Sequence, residues 1–254
     1  MRYRPMDTDP ADPRLGRYVP DDWRHVDSYP LSALEAPPTR VPVVIGVNWY
    51  AEMDKPAKDE RSGELFLARD KKLSRIRGGH CVCLEPGEGP DQTEWQKFYD
   101  QGQEGACVGF GWSRAMSILN GGKYAARWLW SRAKEKDEWP ETKPGDNEGT
   151  SVRAAGEQLV ALGHVPWQES YAADDYQKRF GYKAEAQHGI AAFRWAKTVD
   201  EVHAVLGNKR ADELGAVPIL NSWGTGYPIR VWLPDEVFAR LISEDGEIAV
   251  PTDR

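Results

Sequence analysis

The sequence predicts an α+β chain, with apolar strands placed ahead of a long helical middle. Three observations carry that prediction. Pro42-Val43-Val44-Ile45-Gly46-Val47-Asn48-Trp49-Tyr50 is a β-rich apolar run of the kind that forms a buried strand. Gly78-Gly79-His80 leads into a second such run, Cys81-Val82-Cys83-Leu84. At Cys107 the pattern changes, and Val108, Trp112, Ala115, Met116 and Leu119 recur at helical spacing.

The remaining elements follow from their boundary residues. Residues 1–40 are rich in Pro, Asp and Arg and read as an extended arm over the surface. Residues 51–77 read as a long charged connection, and Gly87, Gly89 and Pro90 as a polar link towards Trp95 and Phe98. Gly121-Gly122 ends the Cys107 helix; a second helix runs from Ala125 to Trp139, stopped by Pro140. Asp146 to Thr150 is a turn into a third helix, Ser151–Leu162, with Gly163 as its stop. Residues 166–195 read as loop. Thr198 and Glu201 form a capping box that opens a short helix ending at Gly207, and a short polar link leads on to Ala216.

Composition narrows the function. The chain has 254 residues, 40% hydrophobic residues and 11 Trp, enough for a sizeable core in one domain of two lobes or in two small domains. A net charge of −7 argues against nucleic acid or an anionic membrane as the main partner. No run approaches the length of a membrane span, and the charged N-terminus has no apolar stretch behind it, so no signal peptide is expected. There are three Cys, two of them a single residue apart on one expected strand, which is no disulfide framework. The expected home is a reducing cytoplasm. Cys81 and Cys83 lack the partner pair that zinc would need and read as packed core thiols, so neither metal nor cofactor is expected.

Cys107 is the residue that stands out. It follows the glycine-rich turn Gln101-Gly102-Gln103-Glu104-Gly105-Ala106 and falls in the first turn of its helix. There the unpaired amides and the positive end of the helix dipole lower a thiol's pKa, and the same amides can hold an oxyanion. Gln101 can add a side-chain N–H donor to that hole.

Here the chain resembles the papain-like cysteine peptidases. Gln101, Gly102, Gly105 and Cys107 match the family's Gln-Gly-x-x-Gly-x-Cys motif, and Phe110 falls on its core Phe. Asn221-Ser222-Trp223-Gly224-Thr225-Gly226 is similar to the block that carries the catalytic Asn and its shielding Trp. Gly78-Gly79-His80 and the run after it are similar to the catalytic-His strand. Val108 stands where papain-like enzymes often have Trp, and Glu104 where many secreted members have a disulfide Cys. Asn147 and Gly149 align with the turn that offers backbone groups to substrate, with Glu148 in place of a family Gly.

The order of the segments differs from the family's. With A for Cys to capped helix, B for the strand pair carrying His, and C for Asn onward, the family runs A-B-C and this chain runs B-A-C. That is a transposition, because a circular permutation would give B-C-A. A catalytic site is set by geometry rather than chain order, so a transposed chain can still assemble it.

The resemblance implies a two-lobe fold within residues 41–254, with a helical lobe over about 100–190. Its antiparallel β lobe would come from about 41–90 and 191–254. It also implies peptide-bond hydrolysis of a peptide or protein substrate. Cys107 would be the nucleophile, paired as thiolate with a His80 imidazolium that serves as proton carrier, and Asn221 would orient the ring. Trp223 would shield that bond and Gln101 complete the oxyanion hole, where one donor is worth roughly 3 kcal/mol. His203, in the capped helix, is expected to be a partly buried helix residue and not the catalytic His. His25, His164 and His188 read as surface residues, and Glu135, Asp137 and Glu138 as a solvated helix end. Two other functions stay open: a cell-wall peptide amidase with the same chemistry, and a non-catalytic binding or assembly protein.

Overall fold

A computed structural model describes residues 39–69, 72–137, 149–167 and 188–252. Most of the expected arm, Pro140, Asn147 and Glu148 therefore lie outside the described residues. In chain order the structure runs β1 (Val43–Tyr50), β2 (Ala57–Lys58), β3 (Leu65–Phe66), β4 (Ile76–Leu84), α1 (Thr93–Phe98), α2 (Cys107–Asn120), α3 (Ala126–Lys134) and α4 (Val152–Ala161). It continues through β5 (Ala192–Trp195), α5 (Val199–Leu206), α6 (Lys209–Leu214), β6 (Ala216–Leu220), β7 (Val231–Pro234), α7 (Asp235–Ser243) and β8 (Glu247–Thr252). The protein is α+β.

The strands form an eight-stranded mixed sheet in the order β2-β3-β7-β6-β4-β1-β8-β5. Its pairs are antiparallel except β3 and β7, which run parallel through Phe66 and Trp232. An entirely antiparallel sheet was the expectation; this single parallel bridge departs from it. β1 and β4, both ahead of Cys107, lie between β6 and β8 and are held along their length, from Val43 opposite Leu84 to Trp49 opposite Gly78.

Alternation along these two strands divides the core. Val44, Cys81 and Cys83 face one side and pack with Trp112, Met116, Leu129, Leu159 and Phe193 against α2, α3 and α4. Ile45, Val47, Trp49, Val82 and Leu84 face the other side and pack with Val202, Leu206, Phe238 and Leu241 of α5 and α7. Each such fully buried side chain contributes about 1.5–3 kcal/mol relative to exposure.

Several local expectations need correction. Ala192–Trp195 forms a strand, with Phe193 and Trp195 buried, where a loop was expected. The links before Cys107 and before β6 contain the short helices α1 and α6. His164 is buried rather than on the surface. Its Nε2 lies 2.7 Å from Ser113 Oγ on α2, its Nδ1 accepts the Val165 N–H at 2.9 Å, and its ring stacks on Trp128. With Nδ1 accepting, Nε2 carries the hydrogen and donates it to Ser113. His188 is half-buried against Tyr124, and His25 lies outside the described residues. Glu135 is exposed, as a solvated helix end requires, while Asp137 is half-buried and accepts from Thr150 Oγ1 at 2.6 Å.

Candidate active site

His80 and Asn221 are brought together by the sheet. β4 pairs with β6 at Cys83–Leu220 and Leu84–Ile219, and Asn221 is the residue that follows β6. Asn221 Oδ1 accepts the Ser222 backbone N–H at 2.8 Å and lies 2.9 Å from His80 Nε2. The Ser222 amide can only donate, so the atom facing it is the carboxamide oxygen, and Nε2 must carry the proton. His80 Nδ1 is left as the basic nitrogen, buried and without a hydrogen-bond partner among the described residues.

Cys107 opens α2 as expected. Its N-cap, Ala106, supplies no side-chain acceptor, whereas Ser151, Thr198 and Asn208 cap α4, α5 and α6 with their side chains. The first amides of α2 thus remain for the Cys107 sulfur and its surroundings. Burial is the largest influence on this thiol and pushes it up to about 11, while hydrogen bonds from the amides of Cys81, Val108 and Cys107 itself act in the opposite direction. The Cys81 amide belongs to the residue that follows His80 on β4, so the start of α2 lies against β4 one residue along from the candidate base. Burial likewise pushes His80 down to about 4, against the bond to Asn221, which acts upward. Both residues are only 1% exposed. Burial thus works against the expected thiolate–imidazolium pair, since it favours the neutral thiol and imidazole. Cys81 and Cys83 are buried free thiols that desolvation raises still further.

The Gln101 loop lies against the Asn221 loop. Gln101 N–H donates to the Ser222 carbonyl at 3.0 Å, and Asp100 forms a β-bridge with Trp223. Gln101 is fully buried; its Nε2 donates to the Glu104 carbonyl at 2.9 Å, which leaves the second Nε2 hydrogen for another acceptor. Gly224 adopts φ +60°, and a Cβ there would stand 2.4 Å from Asp100 Oδ2, so this close approach needs glycine. Trp223 stacks on His80, ring centroids 5.1 Å apart at 26°. Gly149 is half-buried just ahead of Ser151, the N-cap of α4, at a helix start tied to α2 by Trp112 Nε1 donating to the Val152 carbonyl at 3.0 Å. Asn147 lies outside the described residues.

Sequence reasoning missed five residues in and around this site. Trp49 on β1 stands edge-on to both His80 (4.8 Å, 79°) and Trp223 (5.5 Å, 77°). Asp54 accepts from the Trp49 indole at 3.0 Å. Tyr227 packs edge-on against Trp223 at 4.9 Å, and burial raises its phenol while Asn221 acts on it in the opposite direction. Only Trp49 left a signal, because alternation places it on the face of β1 shared with Val47, the residue opposite His80. Gln96 and Arg114 were also missed. Arg114 Nη2 donates to Gln96 Oε1 at 3.0 Å, and Gln96 Nε2 donates to the Gly224 carbonyl at 2.7 Å, tying α1 and α2 to the loop after Asn221.

No protein-family model matches the chain, and no curated protein matches it. Among solved structures the chain is similar to xylellain, a cysteine protease from Xylella fastidiosa. The identity is 17%, the match covers 61% of this chain and 82% of that one, and the TM-score is 0.46. A likeness of that extent assigns neither activity nor substrate.

Proposed function

We propose that the protein is a cysteine peptidase of papain-like architecture, its His-bearing strand pair transposed ahead of the nucleophile helix, that hydrolyses peptide bonds at Cys107. The observation that carries this reading is the fixed tautomer of His80: Nε2–H held by Asn221 beneath Trp223, Nδ1 basic, buried and unpaired. That is the state a general base requires. In the proposed cycle Nδ1 takes the thiol proton as sulfur attacks the peptide carbonyl, so no ion pair need exist beforehand. The Cys107 amide and the second Nε2–H of Gln101 hold the resulting oxyanion. Collapse breaks the C–N bond, and His80 returns its proton to the leaving amine. Water, deprotonated by the same nitrogen, then hydrolyses the thioester and restores the thiol. Gly149 and Trp223 would line the path of an extended peptide.

Brief alkylation with substoichiometric iodoacetamide, followed by peptide mapping, tests the nucleophile. Cys107 should carry most of the label, since its three amide contacts offset part of the burial that suppresses Cys81 and Cys83. A peptide substrate should compete with the label, and Cys107→Ser should abolish turnover. Dominant labelling of Cys81 or Cys83 would sink the assignment.

A further inference from the structure

His80 is confined on more sides than Asn221 and Trp223 supply. The Asn221 bond fixes one ring atom, and Trp223 covers one face of the ring. Trp49 closes the remaining corner, nearly perpendicular to both rings. The two indoles are held differently. Trp223 Nε1 is buried without a hydrogen-bond partner among the described residues, where packing sets that ring. Trp49 Nε1 is anchored on Asp54 Oδ1 at 3.0 Å, and Asp54 Oδ2 is gripped in turn by Arg77, an ion pair between β4 and the turn after β1. The anchor Arg77–Asp54–Trp49 is thus a second polar tie, beside the His80–Asn221 bond, on an aromatic cluster otherwise set by packing.

From this we infer that Asp54 and Trp49 are positioning residues for His80: Asp54 locks the Trp49 indole, and the locked indole holds the imidazole in the orientation that the Asn221 bond sets. The inference rests on the Cys107–His80 reading above. The Asn221 bond opposes a half-turn of the ring about χ2, which would exchange Nδ1 with a carbon; the indole stands in the way of smaller swings that tilt the ring out of line. The Asp54 carboxylate acts to favour the charged imidazole that forms during the reaction. Neither residue supplies a reacting group.

The test uses the full chain and the variants Asp54→Ala, Asp54→Asn and Trp49→Phe, each checked for folding by circular dichroism and melting. Turnover of a mixed fluorogenic peptide library gives kcat and KM. Ring-15N histidine NMR reads His80 without any substrate. Asp54→Ala and Trp49→Phe should lower kcat about tenfold with KM changed less than twofold, the pattern of a lost near-attack geometry. Both should broaden the His80 Nε2–H signal. Asp54→Asn keeps an amide oxygen for the indole and should recover most of what Asp54→Ala loses. Unchanged kcat and an unchanged signal in Trp49→Phe would overturn the inference even if Asp54→Ala failed to fold. So would losses that follow melting temperature across all three variants. If the wild-type chain turns over no peptide, the peptidase reading fails, while the NMR signal still decides whether Asp54 and Trp49 hold the ring.

Discussion

His203 is bonded at both ring nitrogens, Nδ1 to Asp212 at 2.8 Å and Nε2 to Asp235 at 2.9 Å. Carboxylates only accept, so both nitrogens must donate and the ring is an imidazolium joining α5, α6 and α7. Burial works against that charge, but the two carboxylates outweigh it, and the pKa is raised above 6.5. A raised folded-state pKa contributes stability that is full below the unfolded value and is lost as pH rises through the folded one. His203→Gln should therefore lower the melting temperature most at about pH 5.5, below the ordinary histidine range. The gap should shrink steadily towards alkaline pH. A gap that widens with pH would contradict the staple. At this scale short motifs made placements legible: Cys107 opens a helix, and His80 and Asn221 meet. The sequence was silent on His164 and Asp54, whose settings come from distant elements: Ser113 and Trp128 for the one, Trp49 and Arg77 for the other.

Among the elements, α2 and α3 approach so closely that Gly109 has no room for a side chain. A Cβ there would lie 2.4 Å from the Ala126 carbonyl oxygen and 2.7 Å from Trp130 Cβ, on a helix that cannot yield locally. Gly109→Ala should cost about 1–3 kcal/mol, the usual range for overpacking, read from urea unfolding. It should also slow Cys107 alkylation, because the displaced turn carries the thiol. Gly226→Ala, with nothing within 4 Å, is the control and should stay within about 0.5 kcal/mol. Equal stability of the two variants would show that α3 moves away freely. Elements with marked ends were legible: the capping box at Thr198 and the left-handed Gly207 bound α5 as the sequence predicts. α1 and α6, six residues each, and β5, four residues, were not. Such short pieces carry too little periodicity to separate from loop, and packing against the rest of the chain decides them.

At the scale of the whole molecule, the sheet places β1 and β4 between strands that lie far later in the chain. β4 lies beside β6, and that pairing puts His80 within reach of Asn221. Pairing of this kind is invisible in sequence periodicity, which fixes which face of a strand is buried but not which strand lies beside it. Helices in the middle and apolar strands before them could be read; the position of β7, α7 and β8 could not. The central claim is that the histidine serving Cys107 precedes it in the chain. Peptide turnover by His80→Ala and His203→Ala, measured side by side on proteins shown to be folded, tests it most directly. His80→Ala should lose about 10²–10⁴-fold in kcat, the usual contribution of a general acid–base, while His203→Ala keeps turnover and loses only stability. A folded but inactive His203→Ala beside a His80→Ala that still cleaves peptide would contradict the account.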